Sequence, residues 1–332
     1  MLESEFERYK RDIFSTQASF DKIAIELFYF QYTNNPVYKS FVDNLRIYPH
    51  TIKSLVEIPF LPIQFFKFHK IKTGQWDEEY FFLSSGTTNT ERSKHHIKES
   101  AWYKQVSLQI FKEQVKPKDD VTILAYLPGY VENPNSSLIN MIQFFQEELG
   151  NNKSESPFIK EPVELFNRLQ KLNQASKETT LFGVSFALLD FAKEFSLDFE
   201  RLRIIETGGM KNNHREVTRE ELITKLKSSF PKSSILSEYG MTELLSQAYA
   251  MDGENYSCPK SMKVIVTDPL DPFSILKPGQ RGIINVIDLA NIHTCAFIKT
   301  ADVGIINNDD TFKVLGRFND DDVRGCHQLF ES

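Results

Sequence analysis

Several short polar segments, most of them placed directly after an apolar run, carry most of the side chains able to do chemistry. Ser84-Ser85-Gly86-Thr87-Thr88-Asn89-Thr90-Glu91-Arg92-Ser93-Lys94 follows Phe81-Phe82-Leu83. Gly86 allows close approach of the backbone to a ligand. The hydroxyls of Ser85, Thr87, Thr88 and their neighbours can donate to phosphate oxygens, and successive N–H groups in such a turn form an anion-binding concavity. Arg92 and Lys94 add positive charge suited to a triphosphate. A second glycine followed by Lys-Ser or Lys-Thr is missing, so this is not a Walker A loop. Taken alone, the segment reads as a polar surface loop.

It does not stand alone. Glu206-Thr207-Gly208-Gly209 follows Leu202–Ile205, which puts a glycine pair, Gly208 and Gly209, at the end of a strand-like run, where ligands gather in parallel sheets. Ser237-Glu238-Tyr239-Gly240-Met241-Thr242-Glu243 offers a ring able to stack on a base and, in Glu243, a carboxylate able to hold Mg²⁺. Lys299-Thr300-Ala301-Asp302 and Gly316-Arg317-Phe318-Asn319 come later. The carboxylate of Asp302 can accept both hydroxyls of a ribose, and Arg317 can bind oxygen-rich groups with fixed geometry.

The elements that must position these residues are legible as patterns. Tyr80–Leu83, Val121–Leu127, Thr180–Val184, Leu202–Ile205 and Ser234–Leu236 read as strands. Between them Trp102, Val106 and Ile110, and then Leu138, Ile142, Phe145 and Leu149, recur at helical spacing. Alternation of this kind predicts an α/β fold with a mostly parallel sheet flanked by helices. After Cys258 the texture changes to short strand-like runs, Val264–Val266, Ile283–Ile287, Ala296–Ile298 and Phe312–Leu315, separated by turn residues, which predicts a small antiparallel sheet or barrel. The expected organisation is a helical N-terminal cap over 1–80, an α/β nucleotide-binding core over 81–257, a β-rich subdomain over 258–317 and a short tail over 318–332. Gly150–Pro157 reads as a mobile surface loop.

Bulk properties exclude several classes. The 39 basic and 45 acidic residues give a formal charge of −6 with no basic block, which argues against nucleic acid as a partner. No apolar run approaches the roughly 18 residues of a membrane span, and the acidic N-terminus does not resemble a secretory signal, so a cytoplasmic location is expected. The 28 Phe imply an aromatic-rich interior, with an acyl-chain pocket as the alternative use of the same residues.

The order and spacing of the polar segments resemble those of the adenylate-forming superfamily of acyl-CoA synthetases, peptide-synthetase adenylation domains and luciferases. That resemblance implies ATP and Mg²⁺ as cofactors. It assigns Ser85, Gly86, Thr87 and Thr88 to the pyrophosphate end of ATP, Tyr239 to adenine stacking within Tyr239-Gly240-Met241-Thr242-Glu243, Thr242 to a phosphate contact and Glu243 to magnesium. Asp302 matches the ribose-binding Asp, and Arg317 the Arg that opens the hinge segment. Asn89 stands where the superfamily usually has Gly, Glu91-Arg92 replaces Pro-Lys so that Arg92 stands in for that Lys, Ala301 replaces Gly, and Asn319 replaces Asp. The sequence runs only to Ser332 after Arg317, so the usual C-terminal domain with its catalytic Lys is not expected.

Ile58-Pro59-Phe60-Leu61-Pro62, Phe66-Lys67 and Glu206-Thr207-Gly208-Gly209 are similar to segments of the acyl-protein synthetases of bacterial bioluminescence, and the likeness spans most of residues 55–326. It implies a fatty acid as substrate, transfer of the acyl group to a protein thiol, and an acyl-accepting or acyl-reducing partner protein. A ligase of phenylacetate-CoA type, acting on CoA or a carrier protein, is the second reading, and a nucleotide-binding partner subunit without turnover is the third. Cys326 falls where the acyl-accepting thiol would be sought. Arg324 and His327 nearby favour a thiolate, and a spare Cys in a terminal tail is the plain alternative. Cys258 and Cys295 read as structural. His95-His96 reads as solvated or close to phosphate, because adjacent side chains diverge and cannot share one ion. Gly183-Val184-Ser185-Phe186-Ala187 lacks the second Gly of a nucleophile elbow.

Overall fold

The computed structural model describes residues 2–15, 19–85, 91–130, 133–208 and 218–318. Gly86, Thr87, Thr88, Gly209 and Cys326 lie outside these residues.

The chain opens on helices whose apolar positions fall three and four apart. In α1 (Leu2–Ile13), Phe6, Tyr9 and Ile13 are buried, with Glu3 and Glu5 in the first turn and Lys10 and Arg11 in the last, as the helix dipole favours. In α2 (Phe20–Asn34), Ile23, Ala24, Leu27, Phe28 and Gln31 form the buried face. Asn35 ends α2 and caps α3 (Pro36–Asn44), its side chain accepting from the Tyr38 N–H while Pro36 occupies the first turn. Two short elements follow, β1 (Leu61–Pro62) and α4 (Phe65–Phe68).

A two-stranded antiparallel hairpin comes next, β2 (Tyr80–Leu83) with β3 (Lys94–Ile97), in a register that sets Leu83 opposite Lys94. It brackets the Ser/Thr-rich segment. The Ser84 N–H donates to the Ser93 carbonyl at 3.1 Å and the Ser93 N–H to Ser84 Oγ at 3.0 Å, extending the ladder one step past the strands.

From there helices alternate with strands: α5 (Ser100–Gln114), β4 (Thr122–Tyr126), α6 (Ser137–Leu149), α7 (Pro162–Gln174), β5 (Thr179–Val184), α8 (Ser185–Glu194), β6 (Leu202–Thr207), α9 (Arg219–Ser229) and β7 (Ser234–Tyr239). Strands β4 to β7 pair in parallel in sequence order. They are buried along nearly their whole length, as expected of a parallel sheet covered on both faces. β8 (Ala248–Ala250), β9 (Tyr256–Ser257), β10 (Met262–Thr267), β11 (Gly282–Asp288), β12 (Phe297–Ile306) and β13 (Phe312–Arg317) are antiparallel. They continue the same sheet in the order β7-β8-β9-β13-β12-β11-β10, and β1 adds to β12 in parallel, giving 11 strands. Every strand-like run read from the sequence appears as a strand. The expected surface loop at 150–157 is anchored at both ends, because Gly150 bridges to Val121 and Phe158 to Ala125.

Aromatic residues fill the interior. Phe111 stacks on Phe145 at 4.4 Å between centroids with Phe182 against both, and Phe297 packs on Tyr38 and Phe28. The N-terminal helices are fastened to the segment joining β11 to β12. Gln31 Nε2 donates to the Asn291 carbonyl at 2.9 Å, Gln31 Oε1 accepts from the Ala296 N–H at 2.9 Å, and Asn35 Nδ2 donates to the Thr294 carbonyl at 2.9 Å. Among the described residues, no helix is long and apolar enough to cross a membrane.

Candidate active site

The carboxyl ends of β5, β6 and β7 lie side by side, with Val184 opposite Thr207 and Thr207 opposite Glu238. This edge carries a buried polar network. Ser185, the first residue of α8, places its hydroxyl against both Glu206 and the Gly208 carbonyl, the latter at 2.7 Å. Gly208 has φ of +81°, a conformation that a side chain would strain. Glu206, 1% exposed, pairs with Arg219 at 2.8 Å, and the Thr207 hydroxyl contacts the Glu238 carboxyl. Burial raises Glu238 to about 7, against the pull of the Thr207 hydrogen bond and with the help of the Glu206 charge. The second glycine of interest, Gly240, stands beside Glu238. A Cβ there would overlap Glu238 Oε1, so a side chain at this position would require that carboxylate to shift.

Tyr239 ends β7 with its ring buried against Tyr256 and Phe312, and its hydroxyl donates to Asp302 Oδ2 at 3.0 Å. Asp302 on β12 lies opposite Arg317 on β13, and Arg317 Nε is 3.5 Å from Asp302 Oδ1. Tyr239 therefore meets a strand pair 63 residues further along the chain. Burial, then the Asp302 charge, holds the Tyr239 hydroxyl well above its ordinary pKa, so it acts as a hydrogen-bond donor to the carboxylate. The Arg219 guanidinium lies 5.3 Å from the centroid of the Tyr256 ring, joining this group to the network at the end of β6.

Thr242 and Glu243 occupy the turn after β7, and Glu243 is buried. His95 Nδ1 bonds the Thr242 carbonyl at 2.8 Å, and Asn291 Nδ2 donates to the Glu243 carbonyl at 2.8 Å. The Leu245 and Ser246 N–H groups donate to Asp288 Oδ2 at 2.7 and 3.0 Å. Both histidines of the His95-His96 pair are buried, which corrects the solvated reading: β3 is covered on both sides, so His95 enters the interior and His96 meets Glu78. They do diverge, as alternation along a strand requires. Burial lowers His95 to about 4, so its ring is neutral.

Arg92 is half-buried just before β3, and Lys94 is engaged by Glu78 at 3.4 Å and by the Phe81 ring. Cys258 and Cys295 are both pushed up to about 12 by burial, which keeps them as inert thiols. Ser185 belongs to the Glu206 network. Glu206, Glu238, Arg219, Asp288 and Asn291 were not singled out from the sequence as functional. The available signal was charge or amide placed inside apolar runs, as in Ile205-Glu206 and Ile287-Asp288.

Among the described residues no group of three or more His, Cys, Asp or Glu could hold a metal ion. A lone carboxylate such as Glu243 suits a Mg²⁺ that arrives on nucleotide phosphates, since that ion takes one or two carboxylates plus phosphate oxygens and water.

The fold is that of adenylate-forming ligase domains. The chain matches 2-hydroxyisobutyryl-CoA ligase, solved with 2-HIB-AMP and CoA in an open conformation, with a TM-score of 0.67 at 13% identity, covering 90% of this chain and 69% of that one. The postadenylation form of the same ligase gives 0.65 over 89% of this chain and 66% of that one, just under two thirds of its length. ATP-bound MatB from Rhodopseudomonas palustris gives 0.53 at 17% identity, over 74% and 49%.

The family described as acyl-protein synthetase, LuxE, matches residues 14–332, and the chain belongs to it. A long-chain-fatty-acid–luciferin-component ligase of Aliivibrio fischeri is 24% identical over 339 residues, which cover 92% of this chain and 86% of that protein. The protein is an acyl ligase.

Proposed function

We propose that the protein uses ATP and Mg²⁺ to convert a fatty acid to its acyl-adenylate and passes the acyl group to a protein thiol. The observation that carries this reading is the meeting of Tyr239, Asp302 and Arg317, each from a separate segment, beside the Thr242-Glu243 turn. A carboxylate offers about four acceptor positions, so Asp302 can keep the Tyr239 hydroxyl while taking ribose hydroxyls.

In the first step a carboxylate oxygen of the acid attacks the α-phosphorus of ATP. A new P–O bond forms, the bond to the β,γ-phosphates breaks, and pyrophosphate leaves with the electron pair. The residues assigned to this step position and stabilise charge: Ser85, Gly86, Thr87, Thr88 and Arg92 at the phosphates, Thr242 beside them, Gly208 and Gly209 near the nucleotide and Asp302 and Arg317 at the sugar. Glu243, together with the nucleotide phosphates, would hold a Mg²⁺ ion, which would supply charge neutralisation at the leaving pyrophosphate. In the second step a thiol loses its proton to solvent, the resulting thiolate attacks the acyl carbon to form a C–S bond, and the C–O bond to AMP breaks with AMP leaving on the electron pair. Cys326 is the thiol proposed within the chain, and an acyl-accepting or acyl-reducing partner would receive the group next.

The test is purified protein with ATP, Mg²⁺ and a panel of carboxylic acids of graded chain length, scored for exchange of labelled pyrophosphate into ATP and for intact mass. Exchange with a fatty acid, together with a hydroxylamine-sensitive mass increase that Cys326→Ser abolishes, is the expected result. Exchange with no label on the protein and transfer only to added CoA would overturn the protein-thiol half and favour the CoA ligase reading. Absence of exchange with every acid would overturn adenylation itself.

A further inference from the structure

The adenylation chemistry uses the side chains of Thr242 and Glu243 and leaves unexplained the buried cluster behind their backbone. His95 reaches this turn from β3 and Asn291 from the connection between β11 and β12. A carbonyl only accepts, so the bond from His95 Nδ1 to the Thr242 carbonyl at 2.8 Å requires the proton on Nδ1. Nε2 then accepts from the Thr294 hydroxyl at 3.0 Å, and the edge of the Phe66 ring, 5.6 Å away between centroids, closes the remaining side of the imidazole. Thr294 Oγ1 also lies 3.4 Å from Asn291 Oδ1, so one hydroxyl borders both side chains. His95, Asn291 and Thr294 are all almost fully buried, so water is not at hand to replace a lost bond.

The geometry has a specific consequence for Glu243. Peptide groups are planar and a donor to a carbonyl prefers to lie near that plane, so each hydrogen bond restrains the orientation of its peptide plane. The Thr242 carbonyl belongs to the plane before the Cα of Glu243, and the Glu243 carbonyl belongs to the plane after it. With both planes restrained, φ and ψ of Glu243 are restrained and so is the direction of its Cα–Cβ bond. We propose that His95 and Asn291 are positioning residues that aim the Glu243 carboxylate by clamping the two peptide planes around it. This rests on the assignment of Glu243 to the adenylation step.

The test uses the full chain and pyrophosphate exchange at varied Mg²⁺, with ATP binding measured calorimetrically without Mg²⁺ and the unfolding midpoint as readouts independent of turnover. His95→Leu removes both polar contacts. His95→Asn keeps an N–H donor near the position of Nδ1. The expected result is a loss of exchange of about 10- to 100-fold in His95→Leu, with the Mg²⁺ concentration for half-maximal rate raised by about threefold or more and Mg²⁺-free ATP binding within about twofold of the parent. His95→Asn should stay within about fivefold of the parent rate.

Equal losses in the two His95 variants with unchanged Mg²⁺ dependence would reduce His95 to a packing role and overturn the inference, as would an unchanged rate in both. If His95→Leu does not fold, Asn291→Ala against His95→Asn replaces the comparison, with the loss and the Mg²⁺ shift expected only in Asn291→Ala; the absence of either there overturns the inference. Glu243→Gln is measured alongside. If it exchanges as the parent does, the assignment of Glu243 fails and the inference with it. If it loses exchange while His95→Leu does not, the inference alone fails.

Discussion

Thr242 and Glu243 sit on a turn held by side chains from distant parts of the chain, His95, Asp288 and Asn291, whereas Asp302 and Arg317 face each other across two strands with the Arg317 side chain 60% exposed. On the first flank each anchoring group is buried and hydrogen-bonded, so the backbone is fixed before any ligand arrives. On the second the Arg-carboxylate contact is long and open to solvent, where such a pair contributes about 0–1 kcal/mol to stability. The difference separates two jobs. The buried flank supplies preorganised geometry, and the second flank keeps the Arg317 guanidinium exposed beside a buried Asp302. The Glu206-Arg219-Glu238 network lies between these extremes, being buried but built from charges.

The sharpest way to break this contrast is Asp288→Ala. Asp288 accepts from the N–H groups of Leu245, Ser246 and Ala290 and from the Ser246 hydroxyl, and it is fully buried. Removing it strands these donors, so chemical denaturation should show a loss of about 3–5 kcal/mol, even after the relief of a desolvated carboxylate. A loss under about 1 kcal/mol would mean that the turn is not held from behind.

Arg219→Leu should cost somewhat less, about 2–3 kcal/mol, because it leaves Glu206 buried without its partner while the Arg219 side chain itself is 24% exposed. Arg219→Lys should recover part of this. If Leu and Lys behave alike, the network is held by packing on the Tyr256 ring rather than by charge.

Acid separates the two buried clusters by sign. Burial lowers His95 to about 4 and His293 to about 3, below their ordinary value of 6.5. The unfolded chain therefore takes up protons first. Stability is unaffected by these groups above about pH 6.5 and falls as pH drops toward 4, by up to about 1.4 kcal/mol per unit for each histidine. Glu238 acts in the opposite direction. Its folded value of about 7 lies above its ordinary 4.5, so the folded state holds the extra proton and stability is lost as pH rises through that window. Glu238→Gln should therefore gain on the parent between pH 5 and pH 8 by about 2 kcal/mol, read from denaturation midpoints at both values. A constant difference across that range would place the Glu238 proton elsewhere.

The smallest effect on stability is expected at the exposed flank. Arg317→Ala should change unfolding free energy by no more than about 0.5 kcal/mol while weakening ATP binding several-fold in calorimetry. A large stability loss would remove the distinction between the flanks.

Much of this architecture was readable in advance. Strands announce themselves through local apolar runs and helices through spacing of three and four, and both periods depend only on neighbouring residues. Gly208 marks a positive φ at the end of β6 and Gly240 a close approach to the Glu238 carboxyl, both places where a glycine shows in the sequence. The positioning residues were not. His95 stands beside another His in a polar stretch, and nothing nearby separates a buried imidazole from a solvated one.

The sequence by itself determined the order of strands and helices, the glycines at the strand ends and the polar segments that follow them, because these are properties of short stretches of chain. Only the tertiary structure decided which of those segments meet. His95 finds Thr242 across 147 residues and Tyr239 finds Asp302 across 63. The first contact packs the β2-β3 hairpin, a separate sheet, against the turn after β7, and the second joins β7 to β12 although β8, β9 and β13 lie between them in the sheet. Burial then decided charge: the packing that joins these residues excludes water from them, leaving His95 neutral and raising the Glu238 pKa, and no local pattern in the chain encodes that exclusion.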